Sequence, residues 1–327
     1  MQVLRNLESI VAEWWDLFRT CPDATPFQSP AWLLPWWKRF GCGQPIVITV
    51  RYHTKLAGLG LFYIYPHGTE PKLFFIGKAV SDYLDLLVTP GQNRTQVSQM
   101  ILDRALHQIA GWQSAEFDRL PPSSSLLQVQ GPACVKDGVC PEIVLSGRSL
   151  TEFVTRKSTL INLRNRIRRA NKAGKVEFFT ADEQNYDSLM DALVELHSKR
   201  MRAVGLLGMF SDPQMTRFLR DAGCQLLQAE MLRLHGMRLN GTTIAVLFEM
   251  LHGNRAYLYN FGFDPAYAAI GPATQLIAYA METAAGEGAQ IYDFLQGDET
   301  YKFNTWGAQP RYTYRVACQP ATNTQAA

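Results

Sequence analysis

Charge and long apolar runs are both scarce in this sequence. Charged residues make up only 19% of 327, and the net charge is +3. A balance this mild argues against a general nucleic-acid coat protein, although it allows a local basic patch. The longest apolar run, Leu56 to Tyr65, is half the length that a membrane-spanning helix needs. The N-terminal segment carries Glu8, Glu13 and Asp16, where a signal peptide needs an unbroken apolar core. No membrane insertion is expected.

Familiar catalytic signatures are missing as well. The six cysteines form no C-x-x-C pair and share no spacing with the six scattered histidines. Reduced thiols in a cytoplasmic protein are therefore expected rather than disulfides. The sequence also has no H-E-x-x-H, G-x-S-x-G, phosphate-binding P-loop or G-x-G-x-x-G pattern. Neither a catalytic metal nor a hydrolase triad is indicated.

What remains is the composition of a well-packed globular protein, with 47% hydrophobic and 11% aromatic residues. A chain of 327 residues is long for one core, so two domains are expected. Helical and strand-like periodicities alternate along it, which predicts an α/β fold. We place the two domains at 1–148 and 149–327.

The two halves repeat one order of elements: three strands, a helix and a closing strand. These are predicted at 45–66, 72–77, 93–111 and 114–120 in the first half, and at 229–251, 255–264, 272–288 and 289–295 in the second. The closing segments GWQSAEFDRL and GEGAQIYDFL align with identical Gly, Asp and Leu. Together these features indicate an internal duplication. Two further helices are predicted at 4–19 and 29–41.

Four segments carry a family likeness: TPFQSPAWLLPWWKRFG, DYLDLLVTP, GFDPAY and DFLQGDETYKFNTWG. Together they resemble the tandem-GNAT acetyltransferases of the CelD/BcsL type in bacterial cellulose biosynthesis, and more distantly the Fem-type peptidyltransferases. The resemblance covers residues 25 to 315. It implies two GNAT-like lobes, each a mixed twisted sheet flanked by helices. It also implies transfer of an acetyl or other acyl group from acyl-CoA to an amine or hydroxyl, without a metal.

The resemblance places the CoA pyrophosphate on backbone N–H groups at a helix N-terminus, where the helix dipole favours anions. The usual loop reads Gln/Arg-x-x-Gly-x-Gly/Ala. The segment AAIGPA at 268–273 keeps Gly271 and Ala273. It departs at Ala268, where a basic or amide residue is expected, and at Pro272, which lacks one N–H donor. An ordinary helix that begins at a proline is the alternative.

The densest charge lies at 156–175, with eight basic residues and no acidic one. On a helix this segment would bury Leu160, Leu163, Ile167 and Ala170 and turn Lys157, Arg164, Arg168 and Lys172 outward. A solvated helix face normally mixes both signs, so the segment indicates phosphate recognition. With Thr274 of the predicted loop, Arg164 and Arg168 are the predicted contacts to CoA. A nucleotide-sugar or lipid phosphate, tRNA, or plain solubility are the alternatives.

Ionisable residues crowd the end of the last predicted strand, at Asp293, Asp298, Glu299 and Lys302, followed by Trp306. Open α/β sheets bind ligands at this end of their strands. Asp298 or Glu299 is the predicted general base, and Lys302 is predicted to bind an anion or to stabilise the oxyanion. Asp293 would orient the loop, and Trp306 would contact the substrate. A solvated charged turn is the alternative.

Two other groups are candidates for binding the acceptor. Asp82, Tyr83 and Asp85 are predicted to alternate along a strand of the first lobe, where an acidic edge could face an amine or sugar. The resemblance also places an H-x-x-R pair, here His197 and Arg200, at the cleft. A strand-end cap and a structural histidine are the alternatives.

The leading interpretation is a cytoplasmic acyltransferase that uses acyl-CoA and a saccharide or cell-envelope precursor as acceptor. The first lobe lacks the donor-loop pattern at 88–97, so it is expected to bind the acceptor or to be degenerate. One alternative is a Fem-like ligase that uses aminoacyl-tRNA, with the basic helix touching the tRNA. A second alternative is a non-catalytic subunit of an exopolysaccharide-synthesis complex.

Overall fold

A computed structural model describes residues 1–66, 70–91, 93–129 and 133–319. The chain divides into two compact units. The first contains Met1–Gly138 and the described residues from Tyr312 onward, and the second is Val139–Arg311. This division differs from the predicted one, because the second unit begins before 149 and the last strand belongs to the first unit. Among the described residues, no helix combines the length and the apolar character needed to cross a membrane.

The first unit alternates short strands with three helices. Its elements up to the unit boundary are β1 (Gln2–Leu4), α1 (Val11–Thr20), α2 (Pro30–Phe40), β2 (Ile46–Tyr52), β3 (Lys55–Tyr65), β4 (Lys72–Phe75), β5 (Leu87–Val88), α3 (Arg94–His107), β6 (Ser114–Leu120) and β7 (Ala133–Val139). Short 3-10 helices lie at Glu8–Ile10, Pro26–Gln28 and Ser125–Gln128.

The second unit has a helical part followed by a strand-rich part. Its elements are β8 (Glu142–Val144), α4 (Leu150–Phe153), α5 (Lys157–Ala173), β9 (Val176–Thr180), α6 (Tyr186–Ala203), α7 (Pro213–Gln228), β10 (Leu232–Leu239), β11 (Thr242–His252), β12 (Arg255–Phe263), α8 (Pro272–Gly286), β13 (Ile291–Asp293) and α9 (Thr300–Asn304). The 3-10 helices Met209–Ser211 and Pro265–Ile270 precede α7 and α8. The chain then returns to the first unit as β14 (Tyr312–Cys318).

Each unit is built on one mixed sheet. The strand order is β1-β2-β3-β4-β6-β14-β7 in the first, with β5 beside β3, and β8-β13-β12-β11-β10-β9 in the second. In both, three strands pair antiparallel and the strand after the helix returns parallel to the third. Asn240 and Gly241 join β10 to β11 with φ of 51° and 81°, as the Asn-Gly hairpin signal predicts. The predicted repeat of elements is confirmed.

Two sequence predictions were wrong in detail. The helix predicted at 4–19 is divided, because β1 pairs with β2 and only Val11–Thr20 forms the α-helix. The strand predicted through 81–87 is irregular, and only Leu87–Val88 pairs with β3. Its apolar side chains are buried. The sequence pattern therefore resembles that of a strand, although the residues do not form the hydrogen bonds of a sheet.

Helices cover both faces of the second sheet. Phe261 and Phe263 of β12 are half-buried and pack against the apolar core that includes side chains of α8. Gly262 faces the other way, because successive strand residues alternate between the two faces. A β-carbon at Gly262 would overlap the backbone of Leu196 and His197 in α6. The fold therefore places α5 and α8 on one face of β12 and the end of α6 directly against the other.

Candidate active site

The two parallel strands of the second unit separate after a short contact. β12 and β13 pair from Arg255–Ile291 to Tyr257–Asp293. β12 then continues to Phe263, whereas Leu295, with φ of 55°, turns the other chain segment away. In the described structure this edge of β12 has no strand partner beyond Tyr257. Its backbone N–H and C=O groups can pair with an extended ligand.

A cleft of about 290 Å³ lies beside the free edge of β12. Phe261, Phe263, Ile277 and Trp306 form its apolar walls. Two cations, Arg166 of α5 and Arg200 of α6, also line it. The cleft is thus mainly apolar, with a few charged groups at defined places, which is the usual character of a small-molecule site.

The N-terminus of α8 opens into this cleft. Gly271, the N-cap residue, is buried and has φ of 62° and ψ of 57°, in the left-handed region that glycine adopts without strain. Pro272 begins the helix, so the next two amides, on Ala273 and Thr274, have no preceding carbonyl within the helix to accept them. The structure brings the predicted Gly271, Ala273 and Thr274 together on the cleft wall.

Arginines of α5 hold the loop that precedes α8. The guanidinium of Arg166 donates a hydrogen bond to Thr274 Oγ1. It lies so close to Gly271 that a β-carbon there would overlap it. Arg169 Nη1 donates to the carbonyl oxygen of Ala269, 3.4 Å away. A cation therefore stands beside the helix N-terminus although the loop itself contains none.

The predicted phosphate contacts Arg164 and Arg168 are exposed and do not line the cleft. The inward positions of α5 are Thr159, Leu163, Arg166 and Ala170, which follow the 3.6-residue helical repeat. The prediction placed Ile167 on the buried face, but 39% of its surface is exposed. The error is therefore one residue along the helix: Arg166 faces inward where Ile167 was predicted to do so.

The end of α6 contacts β12 through one backbone carbonyl. Arg200 Nη1 donates to the oxygen of Phe261 at 3.3 Å, and its guanidinium lies 4.3 Å from the centre of the Phe261 ring. Burial lowers the pKa of Arg200, and the nearby Tyr301 and Glu299 oppose this shift. Of the predicted pair, Arg200 lines the cleft and His197 does not.

His197 is buried, and its Nδ1 lies 3.3 Å from the same carbonyl oxygen of Phe261. Its buried Nε2 points toward Gly208. Burial lowers the pKa of His197, so the ring is neutral near pH 7.

The charged cluster after β13 is largely engaged within its own loop. Lys302 is 2% exposed, and its Nζ lies 3.1, 3.0 and 3.3 Å from the carbonyl oxygens of Leu295, Gln296 and Gly297. It also forms an ion pair with Glu299 at 2.9 Å. The three N–H protons of Lys302 thus have four acceptors, namely three carbonyl oxygens and one carboxylate. This geometry assigns Lys302 to fastening the loop and leaves no proton for a substrate.

The predicted carboxylates also lie away from the cleft. Asp293 is fully buried and accepts a hydrogen bond from the backbone N–H of Leu295 at 2.9 Å, so it orients the loop. Asp298 and Glu299 are exposed, and neither lines the cleft. Of the residues predicted in this segment, Trp306 alone is on the cleft wall.

Tyr301 lines the cleft and was missed by the sequence analysis. Burial and the neighbouring carboxylate of Glu299 raise its pKa, and Arg200 opposes them only in part. The phenol therefore keeps its proton near neutral pH and can donate it. Phe261, Phe263 and Arg166 were missed as well. The repeat of inward positions along α5 was the signal that could have identified Arg166.

Asp82, Tyr83 and Asp85 belong to the first unit. They do not alternate along a strand, because this segment is irregular. Tyr83 is buried, and Asp85 accepts hydrogen bonds from Ser124 Oγ and from the Leu86 N–H, each at 2.8 Å. Burial raises the pKa of Asp85 to about 7. These contacts make Asp85 part of the packing of the segment.

The same segment occupies the position that corresponds to the cleft of the second unit. β4 and β6 pair only at Lys72–Ser114 and Leu73–Ala115. Leu84, in the irregular segment, then donates its N–H to the carbonyl oxygen of Arg119, 3.1 Å away. In the first unit this segment therefore pairs with the closing strand β6, the counterpart of β13.

Comparisons with known proteins agree with this architecture. Residues 157–303 match the family model described as an acetyltransferase (GNAT) domain. The crystal structure of FemX covers 96% of this chain and 97% of its own, at 12% identity and a TM-score of 0.68. A C-terminal domain assigned to a lysylphosphatidylglycerol synthetase of Agrobacterium fabrum covers 95% and 92%, at 14% identity and a TM-score of 0.61.

A tandem GNAT protein from the clavulanic acid biosynthesis pathway also matches. It covers 98% of this chain and 99% of its own, at 12% identity and a TM-score of 0.52. No curated protein matches the sequence. At these identities the likeness concerns the fold. The predicted α/β fold with two GNAT-like lobes is confirmed, and the second lobe carries the match to the GNAT acetyltransferase domain.

Proposed function

We propose that the protein transfers an acyl group from acyl-CoA to an amine or hydroxyl of a saccharide or cell-envelope precursor. One observation carries this proposal: the free edge of β12 leads along an apolar cleft to a cationic helix N-terminus. A CoA thioester has the same sequence of groups, with amides in its pantetheine arm and a pyrophosphate at the far end. The match of residues 157–303 to a GNAT domain supports the assignment.

The pyrophosphate would bind at the start of α8. The amides of Ala273 and Thr274 and the helix dipole attract an anion. Pro272 removes one donor, and Ala268 lacks the side chain expected at its place. The guanidinium of Arg166 compensates for both, since it stands beside Thr274 and can form charge-assisted hydrogen bonds to phosphate.

The chemistry needs one proton acceptor and one donor. The acceptor nitrogen or oxygen attacks the thioester carbonyl, the C–S bond breaks, and the new amide or ester bond forms. We assign Tyr301, which lines the cleft, as the acid that protonates the leaving thiolate, and water in the cleft takes the proton of the attacking group. The exposed Asp298 and Glu299 remain candidates for guiding an amine acceptor toward the cleft.

Calorimetric titration with acetyl-CoA tests the donor site. Arg166→Ala is expected to weaken binding about ten- to a hundredfold, the effect of one lost charge-assisted hydrogen bond. Arg168→Ala is the matched control, because it removes the same charge from the exposed face of the same helix. Ala273→Glu should abolish binding by placing a carboxylate at the helix N-terminus. No binding of acetyl-CoA or longer acyl-CoAs to the unmodified protein would refute the proposed function.

A Fem-like ligase that uses aminoacyl-tRNA is the second candidate. The outward face of α5 favours it, because Lys157, Arg164, Arg168 and Lys172 are all exposed there without an acidic neighbour. The fold shared with FemX along 96% of the chain is compatible with it. This candidate predicts tRNA binding that falls steeply with salt and is lost in the Arg164→Glu, Arg168→Glu variant. Acetyl-CoA binding with no tRNA binding would eliminate it.

A further inference from the structure

The residues that line the cleft include two cations and no carboxylate. These cations, Arg166 and Arg200, are both half-buried. The proposed pyrophosphate site uses Arg166, which is hydrogen-bonded to Thr274 at the start of α8. Arg200 belongs to a different element, the last turn of α6, and is hydrogen-bonded to Phe261 of β12. The pyrophosphate therefore accounts for one cation of the cleft, and the second has no assigned anion.

The side chain of Arg200 reaches from one face of β12 to the other. α6 packs against the face on which Gly262 lies, whereas the Arg200 guanidinium lies 4.3 Å from the ring centre of Phe261, a residue of the opposite face. Its Nη1 donates to the carbonyl oxygen of Phe261 at 3.3 Å. No residue of the described ranges accepts a hydrogen bond from Nε or Nη2. The guanidinium is thus held in place while several of its N–H groups can still bind a ligand.

The charge of Arg200 is not neutralised within the cleft. Among the residues that the structure describes, no carboxylate lies within ion-pair distance of its guanidinium. The field of Glu299 reaches Arg200, but that carboxylate is 57% exposed and pairs with Lys302 at 2.9 Å. A half-buried cation in a mainly apolar cleft costs free energy unless an anion compensates it. A ligand with a negative charge at this point supplies that compensation.

We propose that Arg200 binds a carboxylate of the substrate in this cleft. The inference rests on the proposed function and names its substrate class: the carboxylate belongs to the acyl group, as in a dicarboxylic acyl-CoA, or to the acceptor. One planar guanidinium matches the single charge and the planar shape of a carboxylate. A phosphate monoester carries about 1.5–2 negative charges at pH 7 and needs further donors, such as the helix N-terminus that assists Arg166.

Calorimetric titration of the full chain distinguishes the two sources of the carboxylate. If the acyl group carries it, succinyl-CoA should bind about tenfold or more tightly than acetyl-CoA. If the acceptor carries it, glucosaminuronic acid should bind about tenfold or more tightly than glucosamine, measured without CoA. In either case Arg200→Gln should remove the preference and keep the affinity for acetyl-CoA. Arg202→Gln is the matched control, because it removes the same charge from an exposed position of the same helix.

Arg200→Lys separates recognition from packing, because lysine keeps the charge but lacks the planar fork, so it should restore only part of the preference. The proposal is wrong if the unmodified protein prefers neither carboxylated ligand, or if the preference persists in Arg200→Gln. Equal loss of acetyl-CoA and succinyl-CoA binding in Arg200→Gln would assign Arg200 to the CoA phosphates and also overturn it. Binding of acetyl-CoA to the unmodified protein, measured in the same series, reports separately on the donor site.

Discussion

Replacement of Lys302 by methionine separates a structural lysine from a catalytic one. Methionine keeps the length and volume of the side chain but removes every donor. The change leaves the carbonyl oxygens of Leu295, Gln296 and Gly297 without their shared partner. The oxygen of the buried Leu295 cannot be reached by water, whereas Gln296 and Gly297 are half-buried and can recover a water hydrogen bond. We expect the free energy of unfolding to fall by about 2–4 kcal/mol.

The assay is thermal and urea unfolding of the purified variant. In a unit of this size, 1 kcal/mol lowers the midpoint by about 2–4 °C, so a fall of roughly 5–15 °C is expected. Glu299→Gln is the matched control. It removes the one side-chain partner of Lys302, but that carboxylate is 57% exposed, so the loss should stay below about 1 kcal/mol. An unchanged midpoint together with abolished acyl transfer would refute our assignment and restore the oxyanion role.

Three further predictions concern packing and buried charge. Gly262→Ala should cost about 1–3 kcal/mol in urea unfolding, because the new β-carbon meets the rigid backbone at His197, while Gly286→Ala, with open space around it, should cost nothing. The contribution of Asp85 to stability should fall as pH rises from about 4 to about 7, because its carboxyl keeps the proton in the folded state and releases it on unfolding; Asp85→Asn should remove this contribution from the slope of unfolding free energy measured across that range. Glu249 and His235 are fully buried with 3.5 Å between Oε1 and Nε2, so replacing both with leucine should destabilise less than replacing either alone, as a double-mutant cycle would show.

The architecture could be predicted because each of its elements depends on a local signal. The Asn240-Gly241 turn fixes the β10–β11 hairpin, and Pro272 marks the start of α8. The alternation of strand and helix periods then implies a parallel closing strand, which β13 forms beside β12. These features involve residues that are neighbours along the chain or along one strand, so a single sequence contains them.

The roles of the charged residues could not be predicted in the same way. The sequence shows Lys302 close to three carboxylates, which suggested chemistry. It does not show that Leu295 adopts a positive φ and turns three carbonyl oxygens toward the lysine. A sequence does not show where the backbone carbonyl groups point. A lysine that binds the main chain therefore cannot be distinguished from one that binds a substrate.

The donor loop illustrates the opposite case. Ala268 and Pro272 weaken the pattern of a phosphate loop when the segment is read alone, yet the cleft has its cation. Arg166 lies more than one hundred residues upstream, and its side chain lies against Gly271, where a β-carbon would force the guanidinium to shift. An anion site requires a charge at a point in space, and any element that reaches the point can provide it. The departure from the linear motif at Ala268 is therefore weak evidence against phosphate binding. Loss of acetyl-CoA affinity in Arg166→Ala, with full affinity in Arg168→Ala, would show that the site is assembled from two segments of the chain.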